Sequence, residues 1–150
     1  MATEKWLVST RSGNPISILT TELNALAAGS GAITAAGIDN DADLDLFVDL
    51  ELAVDFVSAP TDGGLVKIYF ARSVDGTTFD DAAGGATPTL PANGYVGSFR
   101  VAAVTTAQRL MLPQVEVPVR DFKVLLVNGS SQPFPATGST LKGLFYKRQS

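Results

Sequence analysis

Residues 44–56 carry the strongest pattern of the sequence, an alternation of apolar and polar residues that continues over thirteen positions. The even positions are all apolar, and four of the odd positions are acidic. Successive side chains of a β-strand point to opposite faces, so this alternation predicts a strand with one buried face and one exposed, largely acidic face. Because thirteen residues are long for a strand, we expect it to bend or break midway.

Shorter segments of the same kind follow along the chain. We predict a second strand at residues 65–73, with Val66, Ile68 and Phe70 on one face and Lys67 and Tyr69 on the other. Further strands are predicted at residues 97–104, 107–117, 121–128 and 139–147, with an extra one near residues 6–9. Turn sequences separate these segments, and the Gly- and Pro-containing residues 80–94 are predicted to form a long loop.

The number and spacing of these segments predict the fold class. Six to eight strands in one chain of 150 residues are typical of an all-β antiparallel β-sandwich or jelly roll. Pro113 and Pro118 bracket the end of the strand predicted at residues 107–117, which indicates an edge strand or a bent one.

The N-terminal part of the chain has a different pattern. In residues 16–28, Leu19, Leu23 and Leu26 recur at spacings of four and three, which predicts the one helix of the chain, with Thr20 or Thr21 at its start. We therefore divide the chain into an N-terminal arm with a short helical or extended segment, residues 1–31, and a β-sandwich domain, residues 32–150.

The composition excludes several kinds of chemistry. The chain has no cysteine and no histidine, so it lacks thiol nucleophiles, disulfides and the usual base of a serine nucleophile. Carboxylate chemistry and the binding of hard cations remain. No apolar run resembles a secretory signal in the first fifteen residues or a membrane span elsewhere, and the net charge of −4 argues against nucleic acid as a partner.

Charge is divided along the chain. Residues 12–66 contain nine acidic residues and no Lys or Arg, whereas residues 67–150 contain nine basic and five acidic residues. Two interpretations are open. The two halves intermix within one pair of sheets and neutralise each other, or acidic and basic faces of neighbouring copies meet in an oligomer.

The acidic residues offer two candidate sites. Asp39, Asp41, Asp43 and Asp45 alternate as in a calcium loop, but neither register supplies the glycine at position six and the glutamate at position twelve of an EF-hand. Asp45, Asp49 and Glu51 share one strand face and could supply the paired carboxylates of a glycosidase, but any half-buried strand displays alternating acids, and Trp6 is the only tryptophan that could hold a sugar. We predict no catalytic residue, no metal site and no cofactor.

Two further sets of residues are assigned structural roles. Gly63-Gly64 and Gly84-Gly85 lack the strand-to-helix context of a phosphate loop, and the sequon at Asn128 is interpreted as a turn. Four basic residues are spread over different strands and indicate solvated or interface positions rather than a nucleic-acid patch; they are Arg100, Arg109, Arg120 and Lys123.

Several short motifs, taken in their order, resemble a family of virion structural proteins from tailed bacteriophages. They are residues 18–24 (ILTTELN), the alternating residues 44–56 followed by Ala59-Pro60, residues 73–79 (SVDGTTF), residues 122–130 (FKVLLVNGS) and residues 136–141 (ATGSTL). The fourth of these motifs departs from the family pattern, because no glycine follows Ser130.

The resemblance implies a non-enzymatic virion component, most simply a decoration or cement protein that stabilises the phage head lattice. Its partners would then be copies of itself, as a homotrimer, and the major capsid protein, and its location would be the virion, assembled in the host cytoplasm. A tail, neck or fibre-base component and a β-sandwich module that binds carbohydrate or a cell surface are the alternatives.

Overall fold

A computed structural model describes residues 5–149 and shows two antiparallel β-sheets packed as a sandwich, which confirms the predicted fold class. Within these residues the strands are β1 (Lys5–Val8), β2 (Ile16–Leu19), β3 (Gly31–Ile33), β4 (Phe47–Val54), β5 (Leu65–Arg72), β6 (Tyr95–Arg100), β7 (Gln108–Glu116), β8 (Phe122–Gly129) and β9 (Thr140–Gln149). One 3₁₀ turn, Thr21–Leu23, follows β2. No helix in the described part of the chain has the length and apolar character needed to cross a membrane.

The two sheets have different sizes and edges. Sheet A has the order β1-β9-β4-β7, and β2 also pairs with β9. Sheet B has the order β3-β8-β5-β6. The ten-residue strand β9 pairs with β2 through its first half and with β1 through its second half, so both N-terminal strands lie on the same side of it. The first four residues of the predicted arm 1–31 lie outside the described residues, and the rest of it contributes β1 and β2 to sheet A.

The core lies between the sheets and contains the apolar face of each predicted strand. In β4 the even positions are buried and the odd positions are half-buried on the other face. The buried positions are Val48, Leu50, Leu52 and Val54, which join Val66, Ile68 and Phe70 of β5 in one hydrophobic cluster. The prediction of alternate burial is therefore confirmed from Phe47 onwards.

The first part of the alternating segment behaves differently, and the prediction was wrong there. Leu44 and Leu46 are 58% and 46% exposed, whereas Asp45 is only 2% exposed. The strand begins at Phe47, and the preceding residues form a loop in which Leu44 has a positive φ of 50°. Asn40 fixes this loop, because its side-chain oxygen accepts a bond from the Asp45 N–H and its amide donates to the Asp45 carbonyl.

The helix predicted at residues 16–28 is also wrong. Ile16–Leu19 is a strand that pairs with β9, and Thr21–Leu23 is a single 3₁₀ turn whose first residue receives no side-chain cap from Thr20. Leu19 and Leu23 are nevertheless fully buried. The leucine spacing therefore reflects two core contacts made by a strand and a turn, and β-branched residues at Ile16 and Ile18 favour the strand.

β7 lies at the edge of sheet A, as Pro113 and Pro118 indicated. Its pairing with β4 shifts register between Val48 and Leu50, and Gln114 sits at this bulge with φ 52°. An added residue at a bulge bends the strand and redirects its side chains, which protects the edge and shapes the adjoining surface. Residues 80–94 form the predicted loop, tied down by isolated bridges such as Gly31 with Gly85.

A candidate binding surface on the outer face of sheet A

The outer face of sheet A is the side of the sheet turned away from the core. The register places Phe47, Asp49 and Glu51 of β4 directly beside Tyr146, Leu144 and Lys142 of β9. On the other side of β9, Trp6 lies opposite Arg148, and Val8 lies opposite Tyr146. Residues directly opposite each other in an antiparallel pair project to the same face, so these side chains form one continuous surface.

Three aromatic side chains meet at one end of this surface, and we call them the aromatic cluster: Trp6, Phe47 and Tyr146. The Trp6 ring stands edge-on to Phe47 at 5.7 Å and to Tyr146 at 5.5 Å, and Phe47 and Tyr146 stack at 5.8 Å. Trp6 is 52% exposed and has the guanidinium carbon of Arg148 at 5.3 Å from its ring centroid. Edge-on and offset contacts are the favoured geometries of aromatic pairs, so the cluster is a well-packed platform that remains open to solvent.

A carboxylate beside the cluster is held in a fixed position. Asp49 Oδ1 accepts hydrogen bonds from the Gln114 N–H at 2.8 Å and from the Tyr146 hydroxyl at 3.0 Å. Burial, with the adjacent Asp49 carboxylate as the second cause, raises the pKa of Tyr146 to about 12, so its hydroxyl stays a donor at neutral pH. Among the described residues nothing donates to Asp49 Oδ2, which leaves this oxygen as an oriented acceptor on an open surface.

Two depressions follow the surface away from the cluster. The first has a volume of about 370 Å³ and lies between Trp6, Tyr146 and the β7 bulge at Pro113 and Gln114. The second has a volume of about 200 Å³ and is lined by Pro15, Glu51, Met111 and Lys142. Both include Asp49 and Leu144, so they are adjoining parts of one groove. The groove combines apolar ring surface with hydrogen-bonding groups, which suits a ligand of mixed polarity.

The three carboxylates predicted to share this face are separated by the structure. Asp49 and Glu51 lie on the outer face, but Asp45 is buried among polar partners at the end of the sandwich. Its Oδ2 accepts from Ser9 Oγ at 3.0 Å and from Arg11 Nε and Nη2 at 3.2 and 3.1 Å. Asp45 is therefore a structural residue and does not belong to the candidate surface.

The acidic tract forms a small cluster that resembles a cation site. One oxygen each of Asp39, Asp41 and Asp121 lies within 4.8 Å of the others. Arg120 Nη2, however, lies 2.9 Å from Asp41 Oδ2, and the Asp41 N–H donates to Asp39 Oδ1 at 2.8 Å. A guanidinium therefore already neutralises part of the cluster, and the absence of a calcium site stays a prediction.

We expect thermal unfolding to have the same midpoint in the presence of calcium and in the presence of a chelator. A ligand that binds only the folded state raises the midpoint in proportion to the logarithm of its concentration, so a specific site would be visible in a calcium titration. Asp41→Asn is the matched control, since it removes one of the three carboxylates. A midpoint that rises with calcium in the wild type but not in this variant would show that the cluster does bind the ion.

The acidic and basic halves of the chain meet within the sandwich. Three ion pairs show this. Arg109 Nη1 lies 3.8 Å from Glu51 Oε1, Arg120 Nη2 lies 2.9 Å from Asp41 Oδ2, and Arg100 Nη2 lies 3.5 Å from Asp62 Oδ2. Each pair joins the acid-rich residues 12–66 to the base-rich residues 67–150, which favours the interpretation that the halves intermix. These pairs are partly or largely exposed, so each contributes little stability.

The remaining candidates have structural roles. Gly85 exchanges two backbone hydrogen bonds with Gly31, of 2.7 and 2.9 Å, and thereby pins the long loop to β3. Asn128 is fully buried, and its amide group donates to the carbonyls of Leu26 and Gln132 at 2.9 and 3.0 Å. Asn128 and Gly129 pair with Val66 and Leu65 as the last residues of β8, so the sequon at Asn128 begins within a strand rather than in the predicted turn, and the chain bends only from Ser130 onwards. Lys123 lies over the Phe79 ring, with its nitrogen 5.0 Å from the centroid.

Comparison with known proteins finds weak structural likeness only. No protein-family model and no curated protein matches the chain. A family 6 carbohydrate-binding module is similar at 11% identity and a TM-score of 0.44, over 97% of this chain and 82% of that one. A family 6 carbohydrate-binding module from Clostridium cellulolyticum in complex with xylose is similar at 14% identity and a TM-score of 0.38, over 97% of each chain. The CBM36-1 domain of a multidomain xylanase from the hindgut metagenome of Trinervitermes trinervoides is similar at 11% identity and a TM-score of 0.37, over 99% of this chain and 98% of that one. At TM-scores below 0.5, these likenesses carry no argument about ligand or role.

Proposed function

We propose that the chain is a non-enzymatic binding module that takes a carbohydrate on the outer face of sheet A. The observation that carries this proposal is the position of the aromatic cluster beside the oriented Asp49 carboxylate. A sugar ring presents apolar C–H faces and a rim of hydroxyl groups. Trp6 supplies apolar surface for the C–H faces, and Asp49 Oδ2 supplies a hydrogen-bond acceptor for the hydroxyl groups.

The same geometry favours binding over catalysis. Asp49 Oδ1 is occupied by two donors, and the nearby Glu51 is engaged with Arg109 at 3.8 Å. A glycosidase needs one carboxyl group that gives up a proton and another that attacks or activates water. Asp49 is instead held as a fixed acceptor, which suits recognition of hydroxyl groups.

We expect Trp6→Ala to weaken glycan binding at least about tenfold, which corresponds to roughly 1.4 kcal/mol. Because Trp6 is the only tryptophan, its fluorescence directly reports ligand contact in the wild type, and calorimetry gives the affinities of both proteins. Val74→Ala is the matched control, since Val74 is also an exposed apolar residue but lies in the turn after β5, outside the groove.

Two results would contradict the proposal. One is a wild-type protein that binds no member of a broad glycan panel. The other is equal affinity for wild type and Trp6→Ala, which would place any binding site elsewhere on the molecule.

A second candidate function is a structural role in a bacteriophage particle, and it is compatible with the first. The ordered motifs described above favour it, and their apolar residues are framework residues: Leu19 and Leu23 in the first motif and Phe122 and Val124 in the fourth are fully buried. We propose a decoration or cement protein, self-associated as a trimer and bound to the major capsid protein. Density for this fold on the capsid in electron micrographs of the particle tests the proposal, and density confined to the tail would reassign it.

A further inference from the structure

The groove on the outer face of sheet A continues well beyond the aromatic cluster. Its two depressions share Asp49 and Leu144, and they extend from Trp6 at one end to Lys142 at the other. Along β9 the lining residues are Tyr146 and Leu144 in the first depression and Leu144 and Lys142 in the second. At about 3.3 Å per residue, the four steps from Lys142 to Tyr146 give the groove a length of about 13 Å along β9, which is longer than one sugar ring.

The second depression has its own set of recognition groups. Met111 and Leu144 supply apolar surface, while Glu51 and Lys142 are direct partners across β4 and β9 and supply an acceptor and a donor side by side. Lys142 is exposed and makes no ion pair with any described residue, so its three N–H donors face solvent. A second sugar unit would thus meet the same combination of apolar contact and hydroxyl recognition as the first.

The charges of the groove indicate what kind of chain it takes. The carboxylates of Asp49 and Glu51 are accompanied by Lys142, by Arg109, which pairs with Glu51, and by Arg148 beside the Trp6 ring. A ligand with many negative charges would meet the two carboxylates, and one with many positive charges would meet these cations. An uncharged chain avoids both repulsions, since its hydroxyl groups both donate to carboxylates and accept from the ammonium group.

We infer that the groove binds an extended, uncharged oligosaccharide laid along β9, with one subsite at Trp6 and Asp49 and a second at Glu51, Met111 and Lys142. This inference rests on the proposed function, and it adds the length, the direction and the charge class of the ligand. Two linked subsites bind a long chain more tightly than either binds a single sugar, because the second contact is made within an already bound molecule.

The test is a calorimetric titration of the full chain with xylo- and cello-oligosaccharides of one to six units. We expect affinity to rise about tenfold or more between one unit and the longest chains. Met111→Ala combined with Lys142→Ala should abolish that rise of affinity with chain length. Trp6→Ala should instead weaken the binding of every length. Circular dichroism confirms that each variant is folded.

The outcomes separate this inference from the proposed function. Affinity that does not change with length, together with weaker binding by Trp6→Ala, would overturn the second subsite and leave the first. Tighter, salt-sensitive binding of polygalacturonate would overturn the uncharged class. If neither series binds, the inference is wrong, and the glycan panel still decides the proposed site. If Trp6→Ala binds every length as well as the wild type does, both the inference and the proposed site are wrong.

Discussion

Arg11→Met is expected to lower the free energy of unfolding by about 3–5 kcal/mol, because it leaves the Asp45 carboxylate buried without its counter-charge. The Arg11 side chain is 10% exposed and that of Asp45 is 0% exposed. Arg11 also donates to the Asp39 carbonyl at 2.6 Å and to Asn40 Oδ1 at 3.2 Å, and its guanidinium carbon lies 4.5 Å from the Phe145 centroid. Its removal therefore loosens the entire loop before β4.

A double substitution separates the buried charge from the lost packing. In Arg11→Met combined with Asp45→Leu no charge remains buried, so we expect this protein to be more stable than Arg11→Met alone. Arg109→Met is the matched control, since its partner Glu51 is an acid on the same sheet but the Arg109 side chain is 78% exposed. We expect Arg109→Met to change the free energy of unfolding, measured by urea titration, by about 0–1 kcal/mol. Equal losses of unfolding free energy for Arg11→Met and Arg109→Met would show that the buried ion pair contributes no more stability than the exposed one.

The contrast between these two arginines shows what the sequence can and cannot predict. Strand positions in β4 and β5 follow from alternation between neighbouring residues, which is a local property and was predicted correctly. The inward position of Asp45 depends on Arg11, which is 34 residues away, and on Asn40. Nothing in the local pattern distinguishes Asp45 from Asp49, so the alternation was extended too far.

The candidate binding surface could not be predicted from the sequence for a similar reason. Phe47 and Tyr146 were each placed in a predicted strand, and Trp6 near another, but the aromatic cluster exists because β9 lies between β1 and β4. That order of strands cannot be read from the periodicity of any one of them. The available signal was Phe47, the one aromatic residue on the largely acidic face of 44–56, because an aromatic side chain in that position can pack against aromatic residues of neighbouring strands.

The incorrect prediction of a helix at residues 16–28 has a different cause. Leucines at spacings of four and three satisfy a helical pattern, but only three of them occur, and a strand followed by a single turn buries them equally well. Pairing with β9 gives the backbone of Ile16–Leu19 its hydrogen bonds, and Ala25 adopts φ 51°, which no helix continues through. Tertiary pairing therefore overrides a weak local preference.

Leu50→Ala is expected to cost about 2–5 kcal/mol of unfolding free energy, since it removes apolar contacts and leaves a cavity in the core. Leu50 is 0% exposed and lies in β4, which is paired on both sides, with Leu112 of β7 and Gly143 of β9 as its direct neighbours. The core cannot collapse easily around the cavity, because both adjoining strands are fixed by their own pairing. The loss should therefore lie well above that of an average substitution.

Leu46→Ala is the matched control, because Leu46 occupies the same phase of the alternation and undergoes the same chemical change. It is 46% exposed and precedes β4, so we expect its substitution to change the free energy of unfolding by no more than about 0.5 kcal/mol. Urea unfolding followed by circular dichroism measures both variants under one set of conditions. A similar loss at the two positions would mean that the buried face of the strand extends through Leu46, and that the loop held by Asn40 and Arg11 does not begin where the structure places it.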